Sequence, residues 1–300
     1  MSSARHSPLP LKDGVAASYV WLSDGAWPTM LRFLVARFPA VSETVWRQRI
    51  ACGEVCDADG AAITSDMAYR RGACLFYYRE PEVTEREVPF EEQILHQDAH
   101  LLVVDKPHFL PVIPTGRFLH QTLLVRLKKK TGLESLTPIH RLDRETAGVI
   151  IFSLNPATRG AYQSLFQQRR MDKTYEALAG MMAGRHFPFV HRSRLVDGDK
   201  FFLMREEAGE PNSETHIDLI GQRGAHALYR LKPVTGRKHQ LRVHLAALGV
   251  PIVNDLFYPH PVAADTPDDF SAPLKLLARS IAFEDPLSGL PRIFESQREL

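Results

Sequence analysis

The chain has few cysteines and no long apolar stretch, and both shortages limit what it can be. Its three cysteines, Cys52, Cys56 and Cys74, cannot all pair, and the spacing of the first two lacks the second pair that a zinc site needs. We therefore expect reduced thiols and a cytoplasmic protein. No apolar run approaches the roughly 18 residues of a membrane span, and the N-terminus lacks the features of a secretory signal, so we expect no membrane association.

The chain also lacks the sequence motifs of several enzyme classes. It contains no P-loop, no G-x-G-x-x-G fingerprint and no cluster of carboxylates and histidines at metal-ligand spacing. His239 and His244 are five residues apart with no glutamate between them, which does not fit a zinc-binding helix. We therefore expect no metal and no cofactor, and phosphoryl transfer and dinucleotide chemistry are disfavoured.

The charges are few in sum but unevenly distributed. At 300 residues the chain can bury one large core, or one core plus a small extra domain. Its composition, 44% hydrophobic and 24% charged, is ordinary for a globular protein, and its net charge is only +2. However, residues 106–133 and 221–254 contain bases and no acid, whereas acids concentrate in 80–92 and 265–269. This segregation predicts a positive face for a polyanion, although solvated helix ends would produce basic runs as well.

The pattern along the chain predicts two domains. Residues 1–27 are expected to form an irregular leader, 28–80 a small domain of two short helices and a hairpin, 81–92 an acidic linker, and 93–300 the main domain. In the main domain the pattern predicts strands at 101–104, 149–153, 173–179, 214–220, 225–231 and 274–283, and helices at 119–127, after Asn155 and at 241–248.

Residues 138–148, P-I-H-R-L-D-R-E-T-A-G, concentrate ionisable side chains in front of a predicted strand. Asp143 should therefore lie on a loop at the mouth of that strand, between Arg141 and Arg144. Opposite charges within about 4–6 Å favour the ionised carboxylate, so Asp143 could act as a nucleophile or a general base. A surface turn tied by Arg–Asp pairs would show the same local pattern.

This undecapeptide resembles the signature H-R-L-D-x-x-T-[SA]-G of the RluA-type pseudouridine synthases. Two later stretches resemble the other motifs of that family in the correct order. K-T-Y-E-A at 173–177 resembles K-x-Y-x-A, and T-G-R-K-H-Q-L-R-V-H at 235–244 resembles T-G-R-x-H-Q-[IL]-R-x-H. D-K-P at 105–107 is similar as well, so the resemblance covers residues 93 to 295.

The resemblance implies a fold and a reaction. The fold would be α+β, with a mixed, largely antiparallel central sheet and flanking helices, preceded by a small α/β module that resembles the αL RNA-binding domain. That module carries few basic residues, so a domain that packs without touching RNA fits equally well. The reaction would be isomerisation of a specific uridine to pseudouridine in ribosomal or transfer RNA, with RNA as the partner, and we expect a monomer.

The resemblance also implies roles for individual residues. Asp143 would be the nucleophile, attacking either the ribose anomeric carbon or the uracil ring, while Tyr175 would face the base and Arg242 would pair with Asp143. Arg141 would fill the space that the flipped-out uridine leaves. The residues expected to bind RNA near the site are His140, Arg141, Leu142, Arg144, Lys173, Arg237 and Lys238.

Two other functions fit parts of the sequence. A non-catalytic RNA-binding protein could share the fold, but a relative that had lost activity could also have lost Asp143, Tyr175 or Arg242, and all three are present. A metal-dependent nuclease or hydrolase would need a clustered set of carboxylates and histidines, which the sequence lacks. The sequence therefore favours the isomerase.

Helical spacing further predicts that Lys238, His239 and Arg242 share one helix face.

Overall fold

The computed structural model describes residues 7–80, 85–200, 202–263 and 266–300, and these form two compact units. The first unit draws on residues up to 87 and on 113–134, and the second on 88–112 and 135–300. Among the described residues, no helix is long and apolar enough to cross a membrane.

The first unit packs helices against a small antiparallel sheet. Its elements are β1 (Ser18–Trp21), α1 (Met30–Arg37), α2 (Glu43–Ala51), β2 (Val55–Asp57), β3 (Cys74–Tyr77) and α3 (Leu123–Thr131), with strand order β1-β3-β2. Thr29 and Ser42 begin the first two helices, because their side chains accept hydrogen bonds from backbone N–H groups of the first turn. Trp46 lies fully buried in the apolar cluster that α1 and α2 form with β3.

Two short helices followed by strands lie where the sequence predicted them, but the segment predicted as an irregular leader, 1–27, contains a strand. Residues 18–21 form β1, which pairs with β3, and Leu22 is buried. The strand is only four residues long, and its large side chains Tyr19 and Trp21 are exposed to solvent. The alternation of buried apolar and exposed polar residues that predicts a strand is therefore missing, and the strand forms because it pairs with β3. Residues 1–6 of the leader lie outside the described residues.

The grouping of the remaining segments also differs from the predicted boundaries. Helix α3, expected in the main domain, belongs to the first unit because Val125 packs against Val15 and Leu119. Of the predicted linker, residues 81–84 lie outside the described residues, while the Glu85 carboxylate accepts hydrogen bonds from the backbone N–H groups of His120 and Gln121. The role of the first unit in RNA binding stays a prediction.

The second unit is built on one large sheet, with eleven strands in the described residues. The sheet order is β10-β9-β11-β12-β8-β13-β7-β5-β4, with β14 on β13 and β6 on β7, and every pairing is antiparallel except that of β7 with β13. This mixed, largely antiparallel sheet confirms the predicted α+β fold. The elements are β4 (Gln93–Gln97), β5 (Leu101–Lys106), β6 (Thr137–Pro138), β7 (Ala147–Ser153), α4 (Pro156–Gln167), β8 (Asp172–Ala179), β9 (Phe189–Asp197), β10 (Met204–Glu207), β11 (Ser213–Arg223), β12 (His226–Pro233), α5 (Gln240–Ala247), β13 (Leu276–Glu284) and β14 (Pro291–Glu295).

The centre of this sheet explains the glycine that ends the 138–148 stretch. Gly148, the second residue of β7, has a φ of +113°, and a Cβ atom there would lie 2.2 Å from the carbonyl oxygen of Ala278 on β13. Only glycine therefore permits the close parallel crossing of these strands. Because β13 also pairs with β8, the loop before β7 and Tyr175 on β8 are brought to the same region of the sheet.

Candidate active site

The loop that carries Asp143 joins β6 to β7 and is fastened from inside by His140. The His140 Nε2 atom accepts a hydrogen bond from the backbone N–H of Ile151, at 3.2 Å, and its ring stacks on Phe166. Burial lowers the pKa of His140 to about 3, so the ring is neutral, as an acceptor must be. His140 also lines the pocket over Asp143, and its expected contact with RNA stays a prediction. The Asp143 carbonyl oxygen also accepts from Thr146 N–H.

Lys106, the lysine of the D-K-P stretch, fastens the same loop from β5. Its side chain is fully buried, and its Nζ donates to the carbonyl oxygens of Pro107, Leu110 and Arg144, at 2.9 to 3.0 Å. Burial lowers the pKa of Lys106 to about 7, against the charge of nearby Glu145. Three carbonyl acceptors match the three donors of an ammonium group, which favours the cation here.

Arg242 on α5 is surrounded by three carboxylates. Its Nη1 lies 3.5 Å from Asp143 Oδ2 and 3.4 Å from Glu145 Oε2, while its Nε and Nη2 lie 2.8 and 2.6 Å from the two oxygens of Asp255. The side chains of Arg242 and Asp255 are fully buried and that of Glu145 is 8% exposed, but that of Asp143 is 27% exposed. Of the three carboxylates, Asp143 is therefore the one open to a ligand.

The segment after α5 holds this arginine in place. The guanidinium carbon of Arg242 lies 4.7 Å from the ring centre of Phe257 and 5.6 Å from that of Tyr258. Asp255 also accepts hydrogen bonds from the backbone N–H groups of Phe257 and Tyr258. Burial lowers the pKa of the Arg242 guanidinium, but the hydrogen bonds and charge of Asp255 and the charges of Asp143 and Glu145 raise it. The net result is a pKa above the usual value of an arginine. Asp143 is thus the most loosely held partner of a firmly placed cation.

His239 approaches Asp143 from another side. Its Nε2 lies 3.8 Å from Asp143 Oδ1, its Nδ1 lies 2.8 Å from the hydroxyl of Tyr258, and burial lowers its pKa, which favours the neutral ring. His239 has a φ of 54° and precedes the helix, which begins one residue later. The prediction that Lys238, His239 and Arg242 share a helix face is therefore wrong.

The two arginines that flank Asp143 in sequence do not behave as expected. Arg144 directs its guanidinium to Asp268, at 2.9 Å, and to Glu145, at 3.0 Å. Arg141 is exposed, and its guanidinium forms no hydrogen bond or ion pair with any described residue. The charge beside Asp143 is instead supplied from α5, 99 positions along the chain (242 − 143), where local sequence reasoning could place it only through the motif.

A cavity of about 420 Å³ opens over Asp143, and every predicted site residue except Arg144 lines it. Among the described lining residues Asp143 is the only acid, and the lining also includes the cations Arg141, Lys173, Arg237 and Lys238. Tyr175 contributes its side chain from β8. Burial, together with the charge of Asp143, raises the pKa of Tyr175, so the phenol stays protonated at neutral pH. The pocket therefore combines one carboxylate, one phenol and a cationic rim.

Comparison with known proteins places this site in a family. The family model described as RNA pseudouridylate synthase matches residues 100–247. RluA of Haemophilus influenzae, named a dual-specificity RNA pseudouridine synthase, is 30% identical over 221 residues, which cover 69% of this chain and 93% of the relative. The chain belongs to the RluA-type RNA pseudouridine synthases.

Two further comparisons agree with the assignment of this chain to the family. An RNA pseudouridine synthase of Synechocystis is 29% identical over 76% of this chain and 79% of its own length. The solved structure of human RNA pseudouridylate synthase domain containing 1 shares the fold, with a TM-score of 0.58 at 24% identity, over 72% of this chain and 86% of that one. The predicted family, fold and enzyme class, an RNA-modifying isomerase, are confirmed.

Outside the pocket, the synthase brings together three possible metal ligands. Potential ligand atoms of His191, Glu206 and His244 lie within 4.8 Å of one another. They already bond within the protein, since His191 Nε2 lies 2.8 Å from Glu206, and the His244 ring lies 2.9 Å from the Ser213 hydroxyl and 3.0 Å from that of Thr215. The last histidine of the third motif thereby ties α5 to β11.

Proposed function

We propose that the synthase converts a uridine of ribosomal or transfer RNA into pseudouridine with Asp143 as the nucleophile. The observation that carries this assignment is the accessibility of Asp143 alone among the carboxylates around Arg242, inside a pocket that also holds Tyr175. Asp143 attacks either the ribose anomeric carbon or the uracil ring. The bond from N1 to C1′ breaks and a bond from C5 to C1′ forms, while C5 loses a proton and N1 gains one. Atoms and electrons therefore balance without a co-reactant.

The target base must leave its stack before it can reach Asp143, which costs a few kcal/mol. Arg141 suits the role of filling the vacated space, because it is exposed at the pocket and its guanidinium has no partner among the described residues. Lys173, Arg237 and Lys238 line the same pocket and supply positive charge for the phosphates of the RNA.

Tyr175 provides a flat face for the uracil and a hydroxyl close to the reacting atoms. Because burial and the charge of Asp143 raise the phenol pKa, Tyr175 is a hydrogen-bond donor in the free enzyme.

A cytoplasmic location, a monomeric state and RNA binding by the first unit stay predictions from the sequence.

The test uses total RNA from a strain that lacks the gene as substrate for the purified protein, with pseudouridine mapped by chemical probing. We expect wild type to modify discrete sites, and Asp143→Asn to bind this RNA but to modify none. Asp197→Asn is the control, since Asp197 is exposed on β9 and does not line the pocket. Turnover by Asp143→Asn would refute the nucleophile assignment. Binding without modification by wild type would favour a non-catalytic RNA-binding protein.

A further inference from the structure

A second cavity of about 400 Å³ adjoins the pocket over Asp143. The two cavities share Phe166, Lys173 and the turn at 235–237, so these residues form the boundary between them. A chain-like ligand that continues beyond the first pocket would pass Lys173 and enter the second cavity. The rest of its lining lies outside the sequence motifs and comes from the end of α4, the turn that follows it, and the residues before β11 and after β12.

The charge of the second cavity is positive. Arg169, Lys173 and Arg237 line it, and no aspartate or glutamate does among its described lining residues. The Lys173 side chain is half-buried, and its ammonium forms no hydrogen bond or ion pair with any described residue. Burial and the charge of Arg169 lower the pKa of Lys173. An anion bound beside both side chains would remove this unfavourable charge placement.

The rest of the lining suits a base. Phe166, Met171 and Val234 supply apolar and aromatic surface, and the ring of Phe166 is already held by stacking on His140. Gln167 is exposed at the edge and its side-chain amide forms no hydrogen bond with a described residue. A cationic wall beside an aromatic surface is the arrangement that binds single-stranded nucleic acid, with phosphates on the charges and bases on the rings.

We propose that the second cavity binds the nucleotide that adjoins the target uridine, with its phosphate at Arg169 and Lys173 and its base against Phe166 and Met171. This inference rests on the proposed function and narrows its substrate class. Two consecutive nucleotides then occupy separate cavities, so both must be unpaired in the complex. Because unpairing both costs less in a single-stranded loop than in a base-paired stem, this arrangement favours a target uridine in a loop of the RNA.

Adjacent arginines at the end of α4 offer a matched test. Arg169 lines the second cavity, whereas Arg170 does not and lies 3.8 Å from Glu284. Binding of a ten-residue uridylate strand is measured over a range of KCl concentrations. We expect Arg169→Gln to weaken binding roughly tenfold and to reduce the slope of log K against log salt by about 0.7, the value for one phosphate of a single strand. Arg170→Gln should keep the wild-type slope, and Arg169→Lys should restore it.

Equal salt slopes for Arg169→Gln and Arg170→Gln, in proteins with unchanged melting temperatures, would overturn the proposal. Annealing the strand to its adenylate complement should weaken binding by wild type, and equal affinity for both forms would also overturn it. Modification of RNA from the deletion strain separates this from failure of the proposed function. If wild type modifies no site, the proposed function fails. If wild type modifies its sites but the two arginine variants bind alike, only the second cavity assignment fails.

Discussion

Replacing Asp255 tests whether Arg242 supports the reaction because Asp255 fixes the position of its guanidinium. Asp255→Asn keeps the size of the side chain but removes the charge that meets Nε and Nη2 of Arg242 at 2.8 and 2.6 Å. Hydrogen bonds to charged groups contribute about 1.5–3 kcal/mol each, and breaking a buried ion pair costs about 3–5 kcal/mol. Glu145 remains 3.4 Å from Nη1 and offsets part of this loss.

We therefore expect about 2–3 kcal/mol less stabilisation of the transition state, or a roughly 30- to 150-fold lower kcat/KM. The loss should fall mainly on kcat, because Asp255 is fully buried and does not line the pocket that receives RNA. Initial rates of pseudouridine formation across substrate concentrations measure both parameters, and urea unfolding reports the folded fraction at the assay temperature.

Asp268→Asn is the matched control, since Asp268 pairs with Arg144 on the same loop and not with Arg242. A folded Asp255→Asn protein whose kcat falls no further than that of Asp268→Asn would refute the positioning role. A rise in KM at constant kcat would also refute it, since the residue would then act on RNA binding.

Two other substitutions test the neutral groups of the site. Tyr175→Phe keeps the aromatic face and removes the hydroxyl. Steady-state kinetics should show a KM near that of wild type and a kcat about 10²-fold lower, which is the usual effect of losing a proton-transfer group. An unchanged kcat would exclude the hydroxyl from the reaction. His140 has a folded pKa of about 3 against 6.5 for the free group, so the unfolded chain binds a proton first and stability falls as pH drops from 6.5 towards 3. In urea unfolding, His140→Gln should reduce this fall by up to about 1.4 kcal/mol per pH unit, and parallel pH profiles for both proteins would contradict the assignment.

The sequence predicted the features that short patterns encode. The apolar run after the 138–148 stretch is β7, Asn155 caps α4, and Tyr175 lies on β8, because each depends on neighbours within a few residues. Asp255 was missed because no local pattern marks it, and only the packing of its segment against α5 brings it to Arg242. The start of α5 was misjudged because leucine spacing cannot reveal the left-handed backbone of His239.

The same distinction applies to the partners of Asp143. Adjacent charges suggested Arg141 and Arg144, but a side chain next in sequence need not point to the same place. Arg144 is drawn to Asp268 and Glu145, so the charge beside Asp143 comes from Arg242 on α5. Its position follows from tertiary packing, which the three motifs indicate only because they recur together in the family.

The three carboxylates around Arg242 suit a reaction in which Asp143 loses its negative charge on bonding to the substrate and regains it when the product leaves. In the proposed reaction a covalent bond to Asp143 removes its negative charge, yet Glu145 and Asp255 remain on Arg242, so the buried guanidinium is never left without a counterion. The same bond removes one of the two causes that raise the pKa of Tyr175, leaving only burial. Tyr175 should thus give up its proton more readily while Asp143 is bonded to the substrate than in the free enzyme. In the proposed reaction Tyr175 can accept the C5 proton only as a phenolate, after its own proton has passed to N1 or to water. That loss is easier after the attack of Asp143 than before it.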